Sequence, residues 1–63
     1  MIETAYVKNR WLYARVNGYD KTICAISGSD RLEGFTSAGV TYVKNGWRYI
    51  WTPNGQTKTI NHV

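Results

Sequence analysis

Few side chains in this sequence are suited to bond-making chemistry, and they are scattered. His62 is the sole histidine, Cys24 the sole cysteine, and the four acids are Glu3, Asp20, Asp30 and Glu33. A nucleophile needs a base within hydrogen-bond reach, and the base needs an orienting partner. Cys24 lies in the apolar run TICAI, where a cysteine is expected to be a small buried hydrophobe. His62 is penultimate, where fraying is expected. A Cys24–His62 pair is the one nucleophile–base combination on offer, and nothing in the sequence orients it. The carboxylates show no D-x-D or H-E-x-x-H spacing, so no metal site is expected. No glycine-rich phosphate loop opens a helix. The residues point to a binding protein: not an enzyme, with no catalytic residue, metal or cofactor.

The binding chemistry lies in cations interleaved with aromatics. Lysine and arginine neutralise phosphates, and an exposed ring stacks on a base. Three Trp and five Tyr accompany eight cations, and the formal net charge is +4. No acid lies after Glu33, so Lys44, Arg48 and Lys58 have none nearby in sequence. The candidate nucleic-acid-binding residues are Lys8, Arg10, Lys21, Lys44, Arg48, Trp51 and Lys58. A charge of this size is also ordinary for a small soluble domain. Lysines on strand edges, moreover, discourage edge-to-edge association.

The elements that must position these residues come from a duplication. Tyr6, Val7, Lys8, Asn9, Trp11 and Tyr13 match Tyr42, Val43, Lys44, Asn45, Trp47 and Tyr49. After one inserted residue, Asn17, Gly18, Lys21, Thr22 and Ile23 match Asn54, Gly55, Lys58, Thr59 and Ile60. Each block reads as one supersecondary unit. Asn45-Gly46 between two alternating aromatic runs is a strong hairpin signal, because a type I′ turn needs positive φ at both central residues. The first block has Asn9-Arg10 there, and a looser turn is expected from the arginine. Asn17-Gly18 and Asn54-Gly55 mark the next turns. The expected strands are 3–8, 11–16 and 20–26, then 40–44, 47–52 and 57–62. Between them, residues 27–39 read as a loop with one helical turn capped by Ser29 and docked by Leu32 and Phe35.

Alternation sorts the second strand of each block into two faces. Trp11, Tyr13 and Arg15 oppose Leu12, Ala14 and Val16; Trp47, Tyr49 and Trp51 oppose Arg48, Ile50 and Thr52. The shared Trp/Tyr face is the expected core, since a domain this small needs its largest side chains inside. Two three-stranded antiparallel meanders would then face each other through it. The expected fold is a single all-β domain, a small sandwich or barrel with pseudo-twofold symmetry. A lone three-stranded sheet cannot bury its apolar face, which explains the duplication. Trp51 stands where the first block has Arg15, so it is the aromatic expected to be exposed and functional.

With 63 residues, the chain is one domain near the lower limit for independent folding. One cysteine permits no internal disulfide, which fits a reducing, cytoplasmic setting. No twenty-residue apolar run suits a membrane span, and MIETAYVKNRW reads as mature protein rather than a secretion signal.

The stretch YVKNGWRYIWTPNGQTKT resembles the three-stranded arm-binding sheet of phage and transposon tyrosine integrases, and the related plant AP2-type sheet. That family lays one sheet face into the DNA major groove and backs the other with a helix. The resemblance implies DNA-facing roles for Lys44, Arg48, Ile50, Thr52 and Lys58, and for the counterparts Lys8, Leu12, Ala14, Val16 and Lys21. It also implies a phage or mobile-element setting. No helix is expected after either sheet, and no recombinase domain accompanies them.

Nucleic-acid binding is therefore the first expectation. The second is a protein-interaction or inhibitor module acting through the apolar Leu12, Ala14 and Val16 face, including as a homodimer. The third comes from a similarity in rhythm to cell-wall and choline-binding repeats, whose aromatic cages take choline or glucan.

Overall fold

The computed structural model describes residues 1–63 and contains seven strands and no helix. They are β1 (Ile2–Lys8), β2 (Trp11–Val16), β3 (Tyr19–Ala25), β4 (Arg31–Phe35), β5 (Val40–Lys44), β6 (Trp47–Trp51) and β7 (Thr57–His62). Two open antiparallel sheets form, one in the order β1-β2-β3 and one in the order β4-β5-β6-β7. The architecture is all-β, as expected, but it is a three-plus-four arrangement with no closed barrel.

The difference comes from the connector, where a strand replaces the expected helical turn. Gly34 weakens a helix, and the RLEGF run can instead pair with the free edge of β5. Leu32 packs on the core, whereas Phe35 is 43% exposed and does not dock as expected. Ser27 and Asp30 close a tight turn, with the Asp30 N–H donating to the Ser27 carbonyl at 3.0 Å. Ser29 caps nothing.

The turns follow the sequence signals. Asn45 and Gly46 have φ of 54° and 79°, and Asn17 and Gly18 have 52° and 84°. Asn9 and Arg10 adopt the same left-handed pair at 51° and 67°, so the first turn is not looser. The copies agree even in an irregularity: β3 is bulged at Ile23 and β7 at Ile60, matching positions of the repeat.

They disagree about which face is inside. The core joins Ile2, Leu12, Ala14, Val16 and Ile26 of the first half to Val40, Tyr42 and Trp51 of the second. The second sheet turns its Trp/Tyr face inward, burying Tyr42 and Trp51 with Tyr49 packed against the core, but Trp47 at the hairpin end is 42% exposed against His62 and is not in the core as expected. The first sheet buries the opposite face, and Leu12 and Ala14 are wholly inaccessible. The expected pairing of two Trp/Tyr faces is thus half right. The physical reason is the mid-strand arginine. Burying an unpaired guanidinium is costly. Arg15 shares a face with Trp11 and Tyr13, while Arg48 lies on the face opposite Trp47 and Tyr49. Each sheet turns its arginine toward water, so the two copies of one sequence pack inside-out relative to each other.

A polar staple joins the halves. The Asp30 carboxylate accepts from the N–H groups of Asn45 (3.0 Å) and Ser27 (3.3 Å) and pairs with the Lys44 ammonium at 3.5 Å. Lys44 also donates to the Ala25 carbonyl at 2.7 Å. At the first turn, the Ile26 N–H donates to the Arg10 carbonyl at 2.7 Å. No helix is long and apolar enough to cross a membrane.

Candidate nucleic-acid interface

The outward face of the first sheet carries Tyr6 and Tyr13, whose counterparts Tyr42 and Tyr49 the second sheet turns to the core. In register, Thr4, Tyr6 and Lys8 of β1 stand beside Arg15, Tyr13 and Trp11 of β2, with Asp20, Thr22 and Ala25 of β3 beyond. Alternation along these strands places all nine side chains on one face. Tyr6 and Tyr13 stack across the strands, their ring centroids 5.4 Å apart and their planes 26° apart. Trp11 is 45% exposed.

The platform is held in place before any ligand arrives. The Tyr6 hydroxyl donates to Asp20 Oδ2 at 2.8 Å, and Arg15 Nε donates to Oδ1 at 2.9 Å. Arg15, and then Tyr6, hold the Asp20 carboxyl below the usual range. The same hydrogen bond to Asp20 raises the Tyr6 phenol above its ordinary value. This charge balance occupies one end of the face, while the cations Lys8 and Arg10 stand at the other, beside Trp11.

Ion pairing decides which of the eight cations have charge to offer. Arg15 pairs with Asp20, Lys44 with Asp30, and Arg31 and Arg48 both with Glu33. Arg48 grips Glu33 at 2.6 and 3.2 Å and donates to Asn61 at 3.1 Å. That grip, above all, lowers the Glu33 carboxyl. Lys8, Arg10, Lys21 and Lys58 have no acidic partner.

Of the seven candidate residues, Lys8 stands across the ladder from Trp11 and Arg10 is exposed in the turn that precedes it. Lys21 and Lys58 are exposed but lie elsewhere, on β3 opposite Ala14 and on β7 opposite Ile50. Lys44 is committed to the staple and Arg48 to Glu33. Trp51 is 6% exposed and belongs to the core, which corrects the expectation that it is the exposed aromatic. The face that the integrase resemblance assigns to DNA is also divided. Arg48, Ile50 and Lys58 share the outer face of the second sheet, but Lys44 lies on the inner face beside Trp47. The counterparts Leu12, Ala14 and Val16 are buried.

Comparison with protein-family models, curated proteins and solved structures gave no match.

Trp11 and Tyr13 are the residues that sequence reasoning assigned to the wrong side, and Tyr6, which it left unassigned, stacks beside Tyr13. The available signal was Arg15, which a small core cannot take in. No three of the His, Cys, Asp and Glu side chains gather at one point, and no pocket opens in the surface. A flat, open face suits a chain laid across it better than a small molecule that must be enclosed.

Proposed function

We propose that the protein binds nucleic acid on the outer face of its first sheet, with Lys8 and Arg10 on phosphates and the Trp11, Tyr6 and Tyr13 rings against bases. One observation carries the reading: the face that holds Tyr42, Tyr49 and Trp51 against the core in the second sheet is turned outward in the first, where it carries Tyr6, Tyr13 and Arg15. The core is already complete without the outward row. Tyr6 is already held by Asp20 and stacked on Tyr13, so little ordering cost is added at that pair on binding. Two unpaired cations adjoin the outward row, which favours a polyanion. The apolar face needed for the protein-interaction reading, Leu12, Ala14 and Val16, is occupied between the sheets.

The test is fluorescence anisotropy with labelled mixed-sequence oligonucleotides. A complex is expected at low salt and should weaken steeply as salt rises, by counterion release. Trp11→Ala should weaken it about tenfold, given that a stacked base contributes about 1–3 kcal/mol. No titratable complex at low salt refutes the reading. Choline and a soluble glucan serve as controls, and a saturable tryptophan response to either, without one to oligonucleotides, would replace nucleic acid with a glycan-type ligand.

A further inference from the structure

Arg10 occupies a position that its backbone does not suit. Its φ of 67° lies in the left-handed region, where a residue with a Cβ is strained and glycine is not. The second copy has Gly46 there, at φ 79°. The conformation is not optional: the Arg10 carbonyl accepts the Ile26 N–H at 2.7 Å, fixing the turn to the end of β3. Nothing in the fold uses the side chain in return. Arg10 is exposed and has no acidic partner and no side-chain hydrogen bond. A strained residue with no structural duty, at the rim of a ligand face, is where strain is kept for function.

Resting on the nucleic-acid reading, we infer that Arg10 is retained for its guanidinium, which clamps the backbone of a single strand whose bases lie on Trp11 and the Tyr6–Tyr13 pair. The ligand class follows from the geometry. Rings on an open sheet reach the flat faces of bases only when those bases are unpaired, because a duplex hides those faces within its stack. Lys8 stands directly across the ladder from Trp11, and Arg10 immediately precedes it in the chain. The two cations therefore lie at the same end of the sheet as the indole, where phosphates would pass a stacked base. Arg10 and Lys8 contribute the charge, and the fork of Arg10 adds bidentate geometry that a lysine lacks.

The experiment compares Arg10→Gly and Arg10→Lys with the wild-type chain. The probes are a labelled oligothymidine of about twelve nucleotides and a duplex of the same length, titrated over a range of salt. Arg10→Gly, which suits the turn as Gly46 does, should raise Tm by roughly 4 °C through relief of strain. It should weaken the single-strand complex about tenfold and make the log–log salt slope shallower by about 0.7, the contribution of one phosphate contact on a single strand. Arg10→Lys should keep the slope while binding more weakly than wild type. The duplex should bind at least about tenfold more weakly than the single strand. If wild type forms no complex with either probe, the reading of the face fails and this inference with it. If wild type binds and Arg10→Gly binds equally with an unchanged slope, the role of Arg10 alone is overturned. Equal affinity for the duplex overturns the ligand class.

Discussion

Exchanging Trp51 and Arg15, each for the residue at the matching position of the other copy, tests the inside-out packing directly. If the copies packed alike, Trp51→Arg and Arg15→Trp would both be tolerated, since each merely restores what the other copy accommodates. The structure predicts gross asymmetry. Trp51 is 6% exposed within the core cluster. Removing a buried Trp side chain costs about 3–5 kcal/mol from lost burial and cavity alone. The incoming guanidinium finds no acid inside and adds a desolvation cost. A domain of 63 residues has roughly 3–9 kcal/mol of stability in total, so Trp51→Arg should be largely unfolded in water. Arg15→Trp loses only an exposed ion pair with Asp20 and should move the urea midpoint by less than about 0.5 M. Far-UV circular dichroism is the suitable signal, because tryptophan fluorescence changes with the substitutions themselves. Trp51→Phe keeps much of the volume and should retain a cooperative transition at a lower midpoint. A Trp51→Arg chain that melts within about 1 M of wild type, or an Arg15→Trp chain that collapses, would refute the argument.

Stability should form a dome in pH. The Asn45 N–H at Asp30, Arg15 at Asp20 and Arg48 at Glu33 are the main causes that hold these carboxyls below their ordinary values. Their contribution is present above the ordinary carboxylate range of about 4 and is lost as pH falls through the folded values; a Tm unchanged between about pH 5 and 2 would contradict it. Burial raises the Cys24 thiol and the Tyr42 phenol, and Asp20 raises Tyr6. Their contribution is full below the ordinary values of roughly 8.5–10 and is lost as pH rises through the folded ones, so Tm should also fall on the alkaline side. Gly39→Ala should destabilise by about 1–3 kcal/mol, because a Cβ there would stand 2.8 Å from Ile50 side-chain atoms and 3.1 Å from the Trp51 carbonyl oxygen; a midpoint equal to wild type in urea would show that this corner yields freely.

Much of the fold could be read in advance because its signals are local. Asn-Gly pairs and alternating aromatics specify hairpins from neighbouring residues alone, and six of the seven strands lie where those signals put them. β4 was hidden because its pairing partner, the free edge of β5, is a tertiary fact. The burial of Trp51 and the exposure of Trp11 were missed for another reason. Matching residues were assumed to have matching surroundings, whereas a single charged residue per strand decides which side meets water. Lys44 and Arg48 looked free along the sequence because their acids, Asp30 and Glu33, are reached only through folding. Lys8 and Arg10 are candidate cations in the sequence and have no acidic partner in the fold, but their neighbour Trp11, expected in the core, lies outside it.

The inside-out packing bears on how the two halves can drift. At Tyr13 and Tyr49 the same amino acid answers to different demands: one is answerable to whatever lies on the surface, the other to its neighbours in the interior. Volume is restricted at Leu12, Ala14 and Val16 in the first half but at Tyr42 and Trp51 in the second. Lineages descending from this chain should therefore accumulate changes in opposite columns of the repeat, and the present likeness of the halves would fade fastest at the aromatic positions where it is now strongest.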